Sequence, residues 1–273
     1  MAHYALPALH GLLIWWFSTG LILLLDGLPT YTFRYSMTVA TVLLAIALYC
    51  LKASAADASV SGAYMAFTSA VAIWGWLEIG FYMGYVTGPR TVHCHHGCSG
   101  WAHFGHAIQA SLYHELAVLG LAGVVVGLTW QAINPFGLWT FVVLWWMHQS
   151  ARLNVFLGVS NLNAELLPDH LAHIRGFFRD APMNMLFPFS VTLSTIAAVM
   201  LAQGAVSAEG FRAVGYTLVT TMMVLAILEH WFLVLPVSAA KAWNRLWQWG
   251  LCSRGAGDKT PPIQRQITIG GRP

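Results

Sequence analysis

Charge is what this sequence has least of. Of 273 residues only 13 are Lys or Arg and 10 are Asp or Glu, whereas a soluble domain carries about a quarter charged residues. A water-facing surface cannot be covered with 8% charged and 58% hydrophobic residues, so a soluble globular fold is excluded and the lipid bilayer becomes the solvent. Cysteine is also sparse: Cys50 lies in an apolar run and Cys252 in the polar tail, and with Cys94 and Cys98 they make no secreted-type framework, so no disulfide is expected. No Lys or Arg precedes the first apolar run, which is therefore expected to stay as a helix and not to act as a signal peptide. A Gly-rich phosphate loop, a GxSxG elbow and a basic stripe are all missing, which sets aside nucleotide hydrolysis and nucleic-acid binding. Nothing recurs at a period of about 20–50 residues, so repeat architectures are unsupported.

What is present is a series of seven apolar segments, at about Leu6–Leu25, Tyr35–Leu51, Gly62–Val86, Trp101–Thr129, Gly137–Gly158, Asn184–Gly204 and Phe211–Val237. Each reaches the roughly 17–25 residues that a helix needs to span a bilayer. In hydrocarbon the backbone must satisfy its own hydrogen bonds, so these segments are predicted to be helices. The expectation is an all-α polytopic membrane protein: a seven-helix domain over residues 1–237, an interfacial amphipathic helix over 238–251 and a flexible polar tail over 252–273. Eleven Lys and Arg fall on the side shared with the C-terminus and only Lys52 and Arg212 on the other. The positive-inside rule then predicts a periplasmic N-terminus and a cytoplasmic C-terminus.

Histidine is the surplus, 12 residues against 10 acidic ones. Within the spans, Glu78, His114, Glu115, His148, Glu229 and His230 are ionisable groups that cost free energy in lipid, so they are expected to face the bundle interior and pair with one another. On the fourth helix His103, His106 and His114 fall within an arc of about 80°. His148 and Arg152 share a face of the fifth at i,i+4. Three readings of these groups stay open: imidazole and carboxylate ligands of an iron or di-iron centre, a purely structural network neutralised by Arg152, or contact with a pigment, haem or quinone through an axial histidine. The Glu-x-x-His spacing of ferritin-like centres is missing. The loop His93-Cys94-His95-His96-Gly97-Cys98 carries soft ligands at high density without a second cysteine pair, and reads as a solvated loop. His170 and His173 sit in the next loop on the same side. Gly80-x-x-x-Gly84 and Gly123-x-x-x-Gly127 are read as close packing inside the bundle.

Three stretches carry a resemblance. They are His148-Gln149-Ser150-Ala151-Arg152-Leu153-Asn154 with Asn161, Glu165-Leu166-Leu167-Pro168 and Met183-Asn184-Met185-Leu186-Phe187-Pro188; Phe81-Tyr82-Met83-Gly84 with Thr87-Gly88-Pro89-Arg90; and Tyr113-His114-Glu115-Leu116. The sequence resembles the PuhE family, photosynthetic complex assembly proteins of purple and related phototrophic bacteria. The resemblance implies a multi-pass protein of the bacterial inner, photosynthetic intracytoplasmic membrane, needed for assembly of the reaction centre and its core antenna or for bacteriochlorophyll supply. Expected partners are reaction-centre or light-harvesting subunits, other assembly factors and the lipid bilayer. A factor of this kind could hold bacteriochlorophyll or a precursor through His114, His148 or His230. The alternative is a metal-dependent, di-iron-like membrane oxidoreductase acting on a pigment, carotenoid or quinone, with iron held among Glu78, His103, His106, His114, Glu115, His148, Glu229 and His230.

Overall fold

The computed structural model describes residues 2–94, 98–162 and 167–235, which lie in one compact unit, Met1–Ser238. The expected interfacial helix over 238–251 and tail over 252–273 fall outside them. The described chain is all-α: α1 (Ala2–Asp26), a 3-10 turn (Thr30–Thr32), α2 (Phe33–Ser54), α3 (Val60–Tyr82), α4 (Gly100–Leu128), α5 (Phe136–Leu157), a 3-10 turn (Asp169–Leu171) running into the single turn α6 (Ala172–Arg175), α7 (Leu186–Ser207) and α8 (Gly210–Phe232). Outside the helices, Val159 and Asp180 form an isolated β-bridge. Each of the seven expected apolar segments contains one long helix among its described residues; Pro236 and Val237, the end of the seventh, lie outside them.

Six of these helices, α1, α2, α3, α4, α7 and α8, are long and apolar enough to cross a membrane. α5 has 22 residues but falls short in hydropathy because its second half carries His148, Gln149, Ser150, Arg152 and Asn154. Those polar residues are affordable because α5 is wrapped by α3, α4, α7 and α8. α3 and α8 form the centre, each with 56% of its apolar window buried, against 11% for α1. One core joins Phe67 and Val71 of α3 to Phe136 and Met147 of α5 and to Leu218 and Met222 of α8. A second joins Leu51 of α2, Ile73 and Leu77 of α3, Val118 of α4 and Phe141 of α5. The outer faces of α1, α2, α4 and α7 expose Leu, Phe and Trp, as expected where the solvent is lipid.

Turn chemistry sets the helix ends. Ser59 caps α3, its hydroxyl accepting from Gly62 N at 3.1 Å. Asn134 accepts from Phe136 N at 3.3 Å and donates to Asp57 O at 3.2 Å, tying the start of α5 to the α2–α3 turn. α7 begins at Leu186, two residues after the expected Asn184, because the Asn184 side chain caps it: its oxygen accepts from Leu186 N (2.8 Å) and Phe187 N (3.2 Å), while its amide donates to Asn154 O (3.0 Å) and Gly158 O (2.8 Å).

The largest departure from expectation lies after α3. The helix stops at Tyr82 and does not continue to Val86, because the chain turns at Gly84, where φ is +80°. The following segment then runs back along α4: His114 N donates to Thr87 O at 3.0 Å and Arg90 N donates to Gln109 O at 3.5 Å. α4 itself has 29 residues, about 43 Å at about 1.5 Å per residue. That exceeds a hydrocarbon core of about 30 Å and leaves room for the loop beside its first turns.

Two sequence readings are corrected. Cys94 and Cys98 are joined as a disulfide, where none was expected; the returning loop brings the two sulfurs together. Gly123 and Gly127 meet no atom within 4 Å, so this pair lies on the open face of α4 and not inside the bundle. The other pair does pack: a Cβ on Gly80 would touch Val86 at 3.2 Å and Met37 at 3.5 Å.

Candidate functional site

α4 buries one stripe, Ala110, Ser111, His114, Val118 and Val125, at spacings that keep a single face toward α3 and α5. The residues on that stripe at the level of the α3 C-terminus are polar. His114 is 1% exposed, and both of its ring nitrogens are buried with no hydrogen-bond partner among the described residues. Its ring lies 5.5 Å from that of His148 on α5 and 5.0 Å from Phe81 on α3, edge to face with the latter. His148 Nδ1 stands 3.4 Å from Glu78 Oε1, with the side chains 23% and 13% exposed. Trp74 closes the site, its ring 5.3 Å from His148. Glu78, His114 and His148 each offer a ligand atom, and these atoms all lie within 4.8 Å of one another. Among the described residues His148 Nε2 is a further buried atom with no hydrogen-bond partner, and Glu78 Oε1 has none beyond its 3.4 Å contact with His148 Nδ1. Buried polar atoms are normally paired, so such a concentration of unpaired ones in one place calls for an explanation.

A second layer is fully paired. Glu115, next to His114, accepts hydrogen bonds from Gln149 Nε2 and Arg152 NH1. Arg152 also donates to Ser111 Oγ, and its guanidinium lies 6.0 Å over the Phe81 ring. The i,i+4 relation of His148 and Arg152 therefore places the imidazole against Glu78 and the cation against Glu115.

On the opposite side of α5, His230 is 1% exposed. Its Nδ1 is 2.9 Å from Ala226 O and its Nε2 is 2.9 Å from Ser150 Oγ. A carbonyl can only accept, so Nδ1 carries the proton and Nε2 accepts from the serine hydroxyl. Glu229 accepts from Trp15 Nε1 at 3.0 Å. Both residues are thus committed to structural partners.

The remaining candidates from the histidine stripe separate. His103 stacks on Phe156 at 5.5 Å and lies 5.3 Å from Phe177. His106 Nδ1 sits 3.1 Å from Cys94 Sγ and 3.2 Å from Cys98 Sγ, so the loop cysteines meet α4, not a second loop pair. An 80° arc read over three turns places residues on one face of α4, but that face passes three different neighbours along its length. His173 is buried next to His93; burial first, then the nearby charge of His93, holds its imidazole below the usual histidine range. His170 Nε2 donates to Tyr82 O at 2.8 Å, pinning α6 under the end of α3.

Of the eight candidate ligands, then, the structure unites Glu78, His114 and His148, surrounds them with Glu115 and Arg152, and sends His103, His106, Glu229 and His230 elsewhere. Sequence reasoning passed over Ser111, Gln149 and Ser150. Ser111 was accessible to it, at i−3 from His114 and i−4 from Glu115. Thr87–Arg90 carries part of the resemblance, but its seat on α4 was not foreseen, and its glycine is the clue. A Cβ on Gly88 would lie 2.0 Å from Gln109 O and 2.6 Å from Ala110 C, so only glycine allows this backbone to lie on α4 next to His114.

The family model described as "Protein of unknown function (DUF3623)" matches residues 1–257. The chain is also 38% identical over 272 residues, 97% of this chain and 98% of the relative, to a protein of Rhodobacter capsulatus described as "Uncharacterized 30.4 kDa protein in puhA 5'region". No solved structure matches.

Proposed function

The chain belongs to the DUF3623 family, and from that premise we propose that it is an inner-membrane factor for assembly of the photosynthetic reaction centre and core antenna, or for the bacteriochlorophyll supply that assembly requires. The near full-length relative from the puhA 5' region supports this reading, as does the resemblance of the polar motifs to photosynthetic assembly proteins. α5 is then the seventh crossing, which leaves the N-terminus periplasmic and the C-terminus cytoplasmic.

The observation that carries the reading is His114, with two buried and unpartnered ring nitrogens inside a membrane helix bundle. A protein that needed the imidazole only to hold its fold would pair it, as His230 is paired. The site also lies at a loosely packed seam, since α4 buries only one stripe against α3 and α5. A tetrapyrrole placed between these helices would take His114 or His148 as its ligand, and α4 would have to move aside, because His114 is 1% exposed. His230 serves this role less well, with both nitrogens occupied.

The test is deletion of the gene in a phototrophic host, with the membranes read by near-infrared absorption. The expected result is loss of reaction-centre and core-antenna bands, restored by the wild-type chain. Unchanged bands in the deletion strain would overturn the proposal.

A further inference from the structure

We propose that Glu78, His114 and His148 bind one divalent first-row transition-metal ion between α3, α4 and α5. This deepens the reading above, since it rests on the same centre being the working part of the protein, and it narrows eight candidate ligands to three.

The donor set comes first. Two imidazoles and one carboxylate, on three different helices, are the ligands that suit iron and zinc, and three protein ligands leave coordination positions open for a small exogenous group. The ligand atoms lie within 4.8 Å of one another. Bonds to such an ion are about 2.0–2.2 Å, so loading draws the three ligand atoms inward.

The second argument is the unmet polar demand. Among the described residues, His114 Nδ1, His114 Nε2 and His148 Nε2 are buried without a hydrogen-bond partner, and Glu78 Oε1 has only its 3.4 Å contact with His148 Nδ1. A metal ion engages one nitrogen of each imidazole together with the carboxylate, which a nearby apolar wall does not. His114 and His148 are not hydrogen-bonded to each other, their ring centroids lying 5.5 Å apart. A bare ion also reaches His114, which is 1% exposed, without the movement of α4 that a macrocycle would require.

Charge gives the third argument. Arg152 is already taken up by Glu115, and among the described residues no Lys or Arg forms an ion pair with Glu78, whose one charged-group contact is His148. A divalent cation is the partner that a carboxylate in this position lacks. The Glu115–Arg152–Ser111 chain then stands next to the ligands, holding the α4 face that presents His114.

The experiment uses full-length protein in mild detergent, with Cys94→Ser and Cys98→Ser so that reduction of their disulfide cannot create a second metal site with His106. Elemental analysis before and after addition of Fe(II), Zn(II) or Co(II) should find about one ion per chain. Glu78→Gln, His114→Ala and His148→Ala should each lower that occupancy at least about tenfold, while His103→Ala keeps it. His148→Cys gives a positive signal that loss of structure cannot mimic: loaded with Co(II), it should gain a thiolate-to-cobalt absorption band that the parent lacks. Protein without metal under every loading condition overturns the inference, as does occupancy unaffected by the three substitutions, or Co(II) bound by His148→Cys without the new band. A metal-free chain that still restores photosynthetic complexes would refute this inference and leave the proposed function standing. A metal-loaded chain whose deletion has no photosynthetic effect would do the reverse.

Discussion

Gly88→Ala is a single-methyl change whose cost follows from the structure. The new Cβ would sit 2.0 Å from Gln109 O and 2.8 Å from Ala110 O, while a carbon and an oxygen in contact need about 3.3 Å or more. The obstacle is helix backbone, so no side chain can swing away. The loop and α4 must separate by about 1.3 Å along the contact. The bond from His114 N to Thr87 O, now 3.0 Å, would open to about 4 Å and cease to be one. The longer bond from Arg90 N to Gln109 O, at 3.5 Å, would go with it. Each bond broken leaves a backbone group unpaired at about 1–3 kcal/mol, so the two together cost about 2–6 kcal/mol. Unfolding of full-length protein in mixed micelles, followed by tryptophan fluorescence, measures it. Gly75→Ala is the control, since a Cβ there meets nothing within 4 Å and alanine favours a helix by up to about 1 kcal/mol. Gly88→Ala within about 0.5 kcal/mol of wild type would refute the claim that this loop is seated on α4.

Other substitutions test neighbouring parts of the account. Arg152→Ala leaves Glu115 without its cation and should cost about 3 kcal/mol, near the low end for a buried pair because both side chains keep some exposure. The double substitution with Glu115→Ala should recover part of that loss in a double-mutant cycle, and strict additivity would contradict the pairing. Asn184→Ala removes the α7 cap and two donated bonds, and should cost about 1–3 kcal/mol in the same unfolding assay. Acid should loosen the α6 region: His173 is held below its unfolded value, so the unfolded chain binds the proton more tightly. Stability should fall as pH drops through about 6.5. Hydrogen exchange at residues 170–176 reads this, and exchange that does not change with pH would count against it.

The fold was largely legible in the sequence because lipid leaves the chain few choices. Runs of about 20 apolar residues must be helices, and each of the seven segments contains one long helix. The errors fall where apolarity carries no information. Gly80 and Val86 belong to one hydrophobic stretch, yet a left-handed turn at Gly84 separates helix from returning loop, and composition gives no sign of it. Helical periodicity placed His103, His106 and His114 on one face correctly. It could not say that Phe156, the Cys94–Cys98 pair and His148 would be their three separate neighbours, because those neighbours depend on how α4 crosses the bundle. His230 looked equal to His114 in sequence, and only its two occupied nitrogens distinguish it. Ser111 and Gln149, the residues that complete the Glu115–Arg152 pair, are too ordinary in type to stand out until the helices are packed.

The most direct test of the account is His114→Ala expressed at wild-type level in a phototrophic host lacking its own copy, with near-infrared absorption of the isolated membranes as the readout. The account predicts that most reaction-centre and core-antenna absorption is lost while the protein stays in the membrane. Full absorption from membranes that contain the variant would contradict the claim that the buried centre of α3, α4 and α5 is where this protein works.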